Sequence, residues 1–251
     1  MTPEAEALVR STTDRTAVLF VPEVTLLTAA EPFGLWDRTE RDAPPFWAFP
    51  WAGGQGLARY VLDHPETVAG RNVLDVASGS GLVAIAAAKA GARTVTAGDI
   101  DENALAAIAL NAAANNTPEV RARLIDLAAV HPGPGQQSPT GLGVAGRNAD
   151  GHDVTARASA TADAAGGLAA DMFRAPDVVL AADVFYQRDL AALALAFLKA
   201  ARRAGATVLA ADPGRAFVPS AELTALATYE IPVLTILEDT PVKTVTIYSL
   251  P

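Results

Sequence analysis

Four residues in the segment 73–116 have the types and spacing to bind a nucleoside. Gly79 and Gly81 follow a short apolar run, Asp75 lies inside that run, and Asp99 ends the next apolar run. A glycine lets the backbone approach a ligand and adopt a positive φ, and the N–H groups at a helix start are free to bind a polar group. A carboxylate about twenty residues beyond the glycine turn can accept hydrogen bonds from both ribose hydroxyls. The pattern predicts a nucleoside-binding pocket.

The chemical nature of the nucleoside depends on Asp75. The spacing Gly79-x-Gly81-x-x-Ala84 also fits the fingerprint of dinucleotide-binding sites. A carboxylate inside the first strand repels a pyrophosphate, but it suits a ligand that carries an ammonium and a sulfonium. We therefore favour a sulfonium nucleoside over NAD, and a purely structural glycine turn is the remaining interpretation.

The block 75–81 resembles motif I of the class I S-adenosylmethionine (SAM) methyltransferases, usually written acid-x-Gly-x-Gly-x-Gly. Asp75, Gly79 and Gly81 match this motif, whereas Ala77 stands at the position of the first glycine. The resemblance implies that SAM is the cofactor and that these four residues bind it.

An aromatic run precedes a Gly-Gly turn upstream of the glycine motif. Phe46, Trp47, Phe49 and Trp51 fall within six residues, and two glycines follow. Such a run can be ordinary core, or it can wall a site that excludes water and holds a sulfonium by cation–π contact. Composition alone leaves both interpretations open.

The aromatic run belongs to a wider resemblance. The chain looks like the lysine methyltransferases of the electron-transfer flavoprotein β-subunit, part of the seven-β-strand lysine methyltransferase group whose bacterial relatives are often labelled predicted nicotinamide N-methylases. The resemblance rests on blocks 46–48, 51–55, 57–60, 75–81 and 99–101. The family's Trp-Pro-Gly-Gly-Gln motif has Ala52 in place of its proline. The resemblance implies cofactor contacts from Trp51 and Gly53, and we add Asp99, Ile100 and Ala182 to the cofactor-binding set.

A further acid is expected at the adenine. The predicted strand 120–125 ends on Asp126, and class I methyltransferases commonly place an acid or amide there against the adenine amino group. The family's Ile/Leu-Asp-Leu pattern resembles the sequence around Asp126. Asp171 is a competing candidate after a similar apolar stretch. We favour Asp126 over Asp171.

The acceptor side of the site is predicted at Asp183-Val184-Phe185-Tyr186. This tetrapeptide follows the apolar run 177–182, and ligands of open α/β sheets bind at the carboxyl ends of the strands. The tetrapeptide resembles the Asp/Glu-x-x-Tyr/Phe motif of the lysine methyltransferase group, which lies at the acceptor amine. We predict that Asp183 orients the amine by accepting its hydrogen bond, with Tyr186 and Trp51 as an aromatic wall. The later block 212–215 is either a tight turn or a further family motif.

Seven strands are predicted, at 73–76, 94–98, 120–125, 177–182, 206–211, 229–237 and 243–250, with a short helix at 220–227. Composition and periodicity indicate an α/β protein. The resemblance implies a Rossmann-like, mostly parallel seven-stranded sheet with helices on both faces and a C-terminal antiparallel hairpin.

We expect one domain over residues 1–251. Residues 1–42, with short β-like segments at 17–21 and 24–27, form a covering extension. Residues 131–167 are rich in small and polar residues and cannot bury enough surface to fold alone. This segment is a tolerated insertion or a flap that gates the substrate.

Charge and composition argue against several functions. The formal net charge of −9 disfavours sequence-independent binding to nucleic acid. The chain has no cysteine and three scattered histidines, so we expect no metal site. No apolar run reaches the roughly 18 residues of a membrane span, and the first residues lack a basic start followed by an apolar run. We expect a cytoplasmic protein with no membrane partner.

The sequence therefore predicts a SAM-dependent methyltransferase that acts on a lysine side chain of a protein. A small-molecule N- or C-methyltransferase with the same SAM pocket is the nearer alternative. A non-catalytic SAM- or nucleotide-binding module is the more distant one.

Overall fold

The computed structural model describes residues 2–30, 35, 44–129, 175–233, 235 and 240–251. The segment 131–167 and Asp171 lie outside these residues. Within the described ranges, no helix combines the length and apolarity needed to cross a membrane.

The chain begins with a helix and a two-stranded hairpin. Helix α1 spans Pro3–Thr12, strand β1 spans Asp14–Val18 and strand β2 spans Val21–Thr28, with β1 and β2 antiparallel. The β-like segments are therefore real strands, but the helix before them was not predicted. Its signal lies in the first residues, because Thr2 accepts the N–H of Ala5 as an N-cap and a proline occupies the first turn.

A seven-stranded sheet forms the centre of the fold. Its strands are β3 Asn72–Val76, β4 Thr94–Asp99, β5 Val120–Leu124, β6 Val178–Ala182, β7 Thr207–Asp212, β8 Thr224–Pro232 and β9 Val242–Ser249. The spatial order is β5-β4-β3-β6-β7-β9-β8; the first five run parallel, and β9 is antiparallel to both of its neighbours. The predicted mostly parallel sheet with a C-terminal antiparallel pair is confirmed.

Helices cover both faces of this sheet, as predicted. They are α2 Ala52–Asp63, α3 Leu82–Lys89, α4 Glu102–Ala114 and α5 Arg188–Arg203. Val178 and Leu180 of β6 pack in the cluster that contains α2, α3 and α4, whereas Val179 and Ala181 pack with α5. Successive strand residues point to opposite faces, so a strand covered on both sides is apolar at every position.

The prediction for the segment before the last strand was wrong in its boundaries. The predicted helix at 220–227 is only a 3₁₀ turn at Ser220–Glu222, and β8 begins at Thr224 rather than at residue 229. Strand β8 lies at the edge of the sheet and most of its residues are exposed. An edge strand lacks the continuous apolar pattern of a buried one, and this explains the misplaced start.

Two buried asparagines, Asn111 in α4 and Asn115 at its C-cap, join the N-terminal hairpin to the central layer. Asn111 Oδ1 accepts the N–H of Leu27 at 2.7 Å, and Asn111 Nδ2 donates to the Ser80 carbonyl at 2.8 Å. Asn115 accepts the N–H of Thr25 and donates to the carbonyl of the same residue. Asn111 therefore connects β2 directly to the glycine turn that follows β3.

Candidate active site

The strand order brings the two predicted halves of the site together. Strand β3 pairs with β4 on one side and with β6 on the other. The strand order therefore changes direction between β3 and β6. Loops that follow the two strands diverge there and leave a crevice. A cleft of about 630 Å³ occupies this position, within the usual size range of small-molecule sites.

Most of the predicted site residues line this cleft: Trp51, Asp75, Ala77, Gly79, Asp99, Ile100, Ala182, Asp183 and Tyr186. Gly53 and Gly81 do not line it and instead shape the backbone beside it. Asp126 does not line it either. Its Oδ1 accepts the N–H of Ala128 at 2.8 Å in the turn after β5. The contact of Asp126 with the adenine stays a prediction.

The turn after β3 has three residues in the left-handed region of the backbone. Gly79 has φ +54° and Gly81 has φ +83°, and Ala77 has φ +52° although it carries a side chain. Gly81 is the N-cap of α3, and a Cβ on it would lie 3.4 Å from Ile108. Glycine is therefore favoured at positions 79 and 81 because of their positive φ. Ala77 adopts a conformation that costs an L-residue roughly 1–2 kcal/mol.

Asp75 lies beneath this turn and is 1% exposed. Its Oδ2 accepts the Ser78 hydroxyl at 2.5 Å, and the backbone N–H of Ala84 in the first turn of α3 also bonds it. Burial raises the pKa of Asp75 to about 7, since the two hydrogen bonds only partly offset the lost hydration and the Asp99 charge adds to the rise.

Asp99 ends β4 and binds the glycine turn. Its Oδ2 accepts the N–H of Gly79 at 2.8 Å, and its Oδ1 accepts the N–H of Asp101 at 3.0 Å. Burial raises the pKa of Asp99, and these backbone donors act in the opposite direction. The next residue, Ile100, exposes 66% of its surface beside the cleft. A carboxylate and an apolar side chain therefore stand together where a nucleoside would lie.

Asp183 is placed by a contact that the sequence did not reveal. Its backbone has φ +56°, and its Oδ2 accepts the N–H of Gly54 at 2.8 Å, with the N–H of Gly53 also bonding the carboxylate. A Cβ on Gly53 would lie 2.6–2.8 Å from the same carboxylate. Asp183 therefore caps the N-terminal turn of α2, where helix N–H groups favour negative charge.

The second oxygen of Asp183 has a different environment. Its Oδ1 lies 3.7 Å from Nη2 of Arg215 and accepts no hydrogen bond within the described part of the chain. Burial raises the pKa of Asp183 to about 6, against the pull of the Arg215 guanidinium and of the α2 N–H groups. Arg215 lines the cleft as well, although the sequence suggested only a turn or an unassigned motif at this position.

The aromatic run contributes to both the core and the wall of the site. Trp47 is only 1% exposed and Phe49 packs in the same buried cluster. Phe46 lies between Trp51 and Tyr186, with ring centroids 5.7 Å and 5.3 Å away, and Trp51 Nε1 donates to the Phe46 carbonyl at 2.8 Å. Trp47 and Phe49 therefore belong to the core, whereas Phe46 lines the cleft together with Trp51 and Tyr186. That this wall holds a sulfonium stays a prediction.

Comparisons with known proteins agree with the motifs. Residues 60–136 match the family model of the ribosomal protein L11 methyltransferase (PrmA). The electron transfer flavoprotein beta subunit lysine methyltransferase of Homo sapiens is 42% identical over 118 residues, which are 45% of this chain and 45% of that protein. The homolog of Caenorhabditis elegans is 41% identical over 100 residues, 38% of this chain and 40% of that protein.

The matched segment covers less than half of each of these relatives. Among solved structures, TrmN from Thermus thermophilus overlaps with a TM-score of 0.47 at 18% identity, over 86% of this chain and 53% of that chain. The resemblance inferred from the tryptophan and glycine motifs is confirmed by the sequence relatives.

Proposed function

We propose that this protein transfers the methyl group of SAM to the ε-amine of a lysine in a protein substrate. One observation carries the proposal: the glycine turn with Asp99 and the acceptor motif with Asp183 and Tyr186 open into a single cleft. The named relatives act on the β subunit of electron transfer flavoprotein, and the family model is named for a ribosomal protein, so both names refer to protein acceptors.

The charges of the cleft fit SAM. Among the described residues that line it, Asp75, Asp99, Asp101 and Asp183 are acidic, and Arg215 is the only basic one. SAM carries a sulfonium and an ammonium, so such a lining attracts it, whereas a dinucleotide pyrophosphate would be repelled. Asp99 would bind the ribose hydroxyls, and Phe46 and Trp51 would contact the sulfonium with their aromatic faces.

When bound, SAM would supply a methyl carbon to the lysine nitrogen, whose lone pair forms the new bond as the carbon–sulfur bond breaks. The residues of this chain would act by positioning and by exclusion of water. Phe46, Trp51 and Tyr186 form an apolar wall. Oδ1 of Asp183 is buried and accepts no hydrogen bond among the described residues, and it would accept the N–H of the amine.

The wall also addresses the protonation of the acceptor. A free lysine has a pKa of about 10.4, so a neutral amine near pH 7 costs roughly 4–5 kcal/mol. Burial against aromatic rings and beside a positive charge lowers that pKa. The proposed site therefore favours the nucleophilic form of the amine by desolvating it.

The proposal is tested by incubating the full chain with methyl-labelled SAM and either purified electron transfer flavoprotein β subunit or a cell lysate. Methyl-lysine in the hydrolysed protein fraction is the expected result. Label confined to small molecules would replace the protein acceptor by a metabolite. SAM binding without transfer to any acceptor would leave a non-catalytic binding module.

A further inference from the structure

The turn that follows β7 holds Arg215 in place. Asp212 ends β7, is fully buried, and accepts the backbone N–H of Arg215 on its Oδ1 at 2.6 Å. Gly214 adopts φ +83° within the turn. An aspartate that bonds the backbone three residues ahead closes a tight turn, so the chain fixes the point from which the Arg215 side chain enters the cleft.

The two carboxylate oxygens of Asp183 have different contacts. Oδ2 is engaged by the first turn of α2 and cannot turn away without losing the Gly54 hydrogen bond. Oδ1 lies 3.7 Å from the Arg215 guanidinium, and it is buried and accepts no hydrogen bond within the described part of the chain. Both residues line the cleft. The side chains of Asp183 and Arg215 are 15% and 27% exposed, so little water screens the pair.

We propose that Arg215 is a positioning residue that keeps the Asp183 carboxylate charged and fixes the direction of its Oδ1 toward the acceptor amine. This inference rests on the function proposed above. Arg215 acts on the acceptor through Asp183 and takes no proton itself.

The charges around Asp183 explain why its ionisation depends on Arg215. Burial and the carboxylate of Asp212 raise the pKa of Asp183, while Arg215 and the N–H groups of Gly53 and Gly54 lower it. Without the guanidinium, only the backbone N–H groups of Gly53 and Gly54 would offset the burial of Asp183 and the charge of Asp212. The effect of Arg215 also reaches Tyr186, whose pKa is raised by burial and by Asp99 but lowered by Arg215.

The pairing also affects which form of the acceptor is bound. A buried carboxylate alone attracts a protonated lysine, because opposite charges within about 4–6 Å stabilise each other. The guanidinium of Arg215 offsets the charge of Asp183, so the pair offers a hydrogen-bond acceptor that favours the lysinium ion less than a lone carboxylate does. Both effects of the pair raise the fraction of productive complexes near neutral pH.

The inference is tested with Arg215→Gln, Arg215→Ala and Arg215→Lys, and with Arg123→Gln on exposed strand β5 as a matched control. The pH dependence of kcat/KM is measured at saturating SAM for each protein. Removing the guanidinium should shift the acid limb of the pH–rate profile to higher pH by about one unit. Activity should then recover at alkaline pH. Arg215→Lys should keep the limb close to wild type, and SAM affinity should stay within about threefold in every variant.

A second measurement does not depend on activity. In protein labelled with ¹³C at aspartate carboxyls, the Asp183 signal is assigned by its loss in Asp183→Asn and then titrated with pH. Its midpoint should rise in Arg215→Gln and Arg215→Ala but not in Arg123→Gln. An unchanged midpoint, or a rate that falls equally at every pH, would overturn the role given to Arg215. If the wild type methylates no acceptor, the proposed function fails, and the midpoint still decides the effect of Arg215 on Asp183.

Discussion

The N–H of Gly54 donates to Oδ2 of Asp183 at 2.8 Å, although 129 residues separate the two along the chain. This hydrogen bond joins the tryptophan–glycine motif to the predicted acceptor motif. Because Gly54 lies in the first turn of α2 and Asp183 follows β6, the bond also sets the position of the helix relative to the sheet. A change on either side should therefore alter the acceptor side of the cleft.

Gly53→Ala should reduce methyl transfer at least tenfold, equivalent to about 1.4 kcal/mol in the activation barrier. The new Cβ would lie 2.6–2.8 Å from the carboxylate of Asp183, which must then move. Steady-state kinetics with a protein acceptor measures the effect. Gly54→Ala is the matched comparison, because its Cβ meets nothing closer than 3.8 Å. Equal losses in the two variants would contradict the steric explanation.

Asp183→Asn should lower kcat by about 100-fold, in the range expected for loss of a positioned acid or base. The amide oxygen can still accept the Gly54 N–H, so the α2 cap is retained while the negative charge is lost. SAM affinity, measured by calorimetry, should stay within a few-fold. Unchanged turnover would remove Asp183 from the acceptor site.

Asp75 should make the ligand-free protein less stable as pH rises. Its pKa is 3.8 in its ordinary state and about 7 when buried here, so between these values the folded protein holds a proton that the unfolded chain has released. Stability is therefore lost through this window, by roughly 4 kcal/mol in total, and the loss is complete above about pH 7.

Asp75→Asn should consequently gain free energy of unfolding relative to wild type as pH increases from 5 to 8. Urea titrations at several pH values measure this difference. Glu119→Gln, at an exposed carboxylate, is the control. A difference between Asp75→Asn and wild type that stays constant with pH would show that Asp75 does not titrate in this window. SAM should stabilise the wild type more than the variant, because the variant lacks the anion.

Asn111→Ala should lower the free energy of unfolding by about 2–4 kcal/mol. The side chain is fully buried, and its removal strands the Leu27 N–H and the Ser80 carbonyl without their partner. Chemical denaturation measures the loss. Because Ser80 belongs to the glycine turn, SAM affinity should weaken as well. A stable variant with weak SAM binding would mean that Asn111 supports the turn and not the fold.

Local patterns were sufficient to predict the α/β class and most strands, the family resemblance supplied the sheet arrangement, and the glycine turn lies next to Asp99 as its spacing indicated. The glycine turn and Asp99 are about twenty residues apart, and the β-turn-α-β unit between them determines how they meet. The contact of Asp183 with α2 has no local signal, since neither the 129-residue separation nor the types of the residues indicates it. The same holds for Arg215, whose turn was recognisable but whose neighbour was not.

The start of β8 was predicted wrongly, and the assignment of Asp126 to the adenine stays a prediction. Asp126 was assigned because it follows a strand, and its Oδ1 accepts the N–H of Ala128 in its own turn. Strand β8 was placed too late because an exposed edge strand carries few buried residues. Sequence patterns distinguish neither an exposed edge strand from a loop nor a local hydrogen bond of a carboxylate from a ligand contact.

Helices α2, α3 and α4 all begin at the cleft, and an aspartate binds the first turn of each: Asp183, Asp75 and Asp101, respectively. Amides that are fixed in helices hold these carboxylates in place before any ligand arrives. The site is therefore preorganised, and little reorientation of its dipoles should accompany binding. Folding already fixes the orientation of these acids. The free energy of ligand binding is therefore not spent on orienting them, and differences in affinity between ligands can determine which ligand is bound.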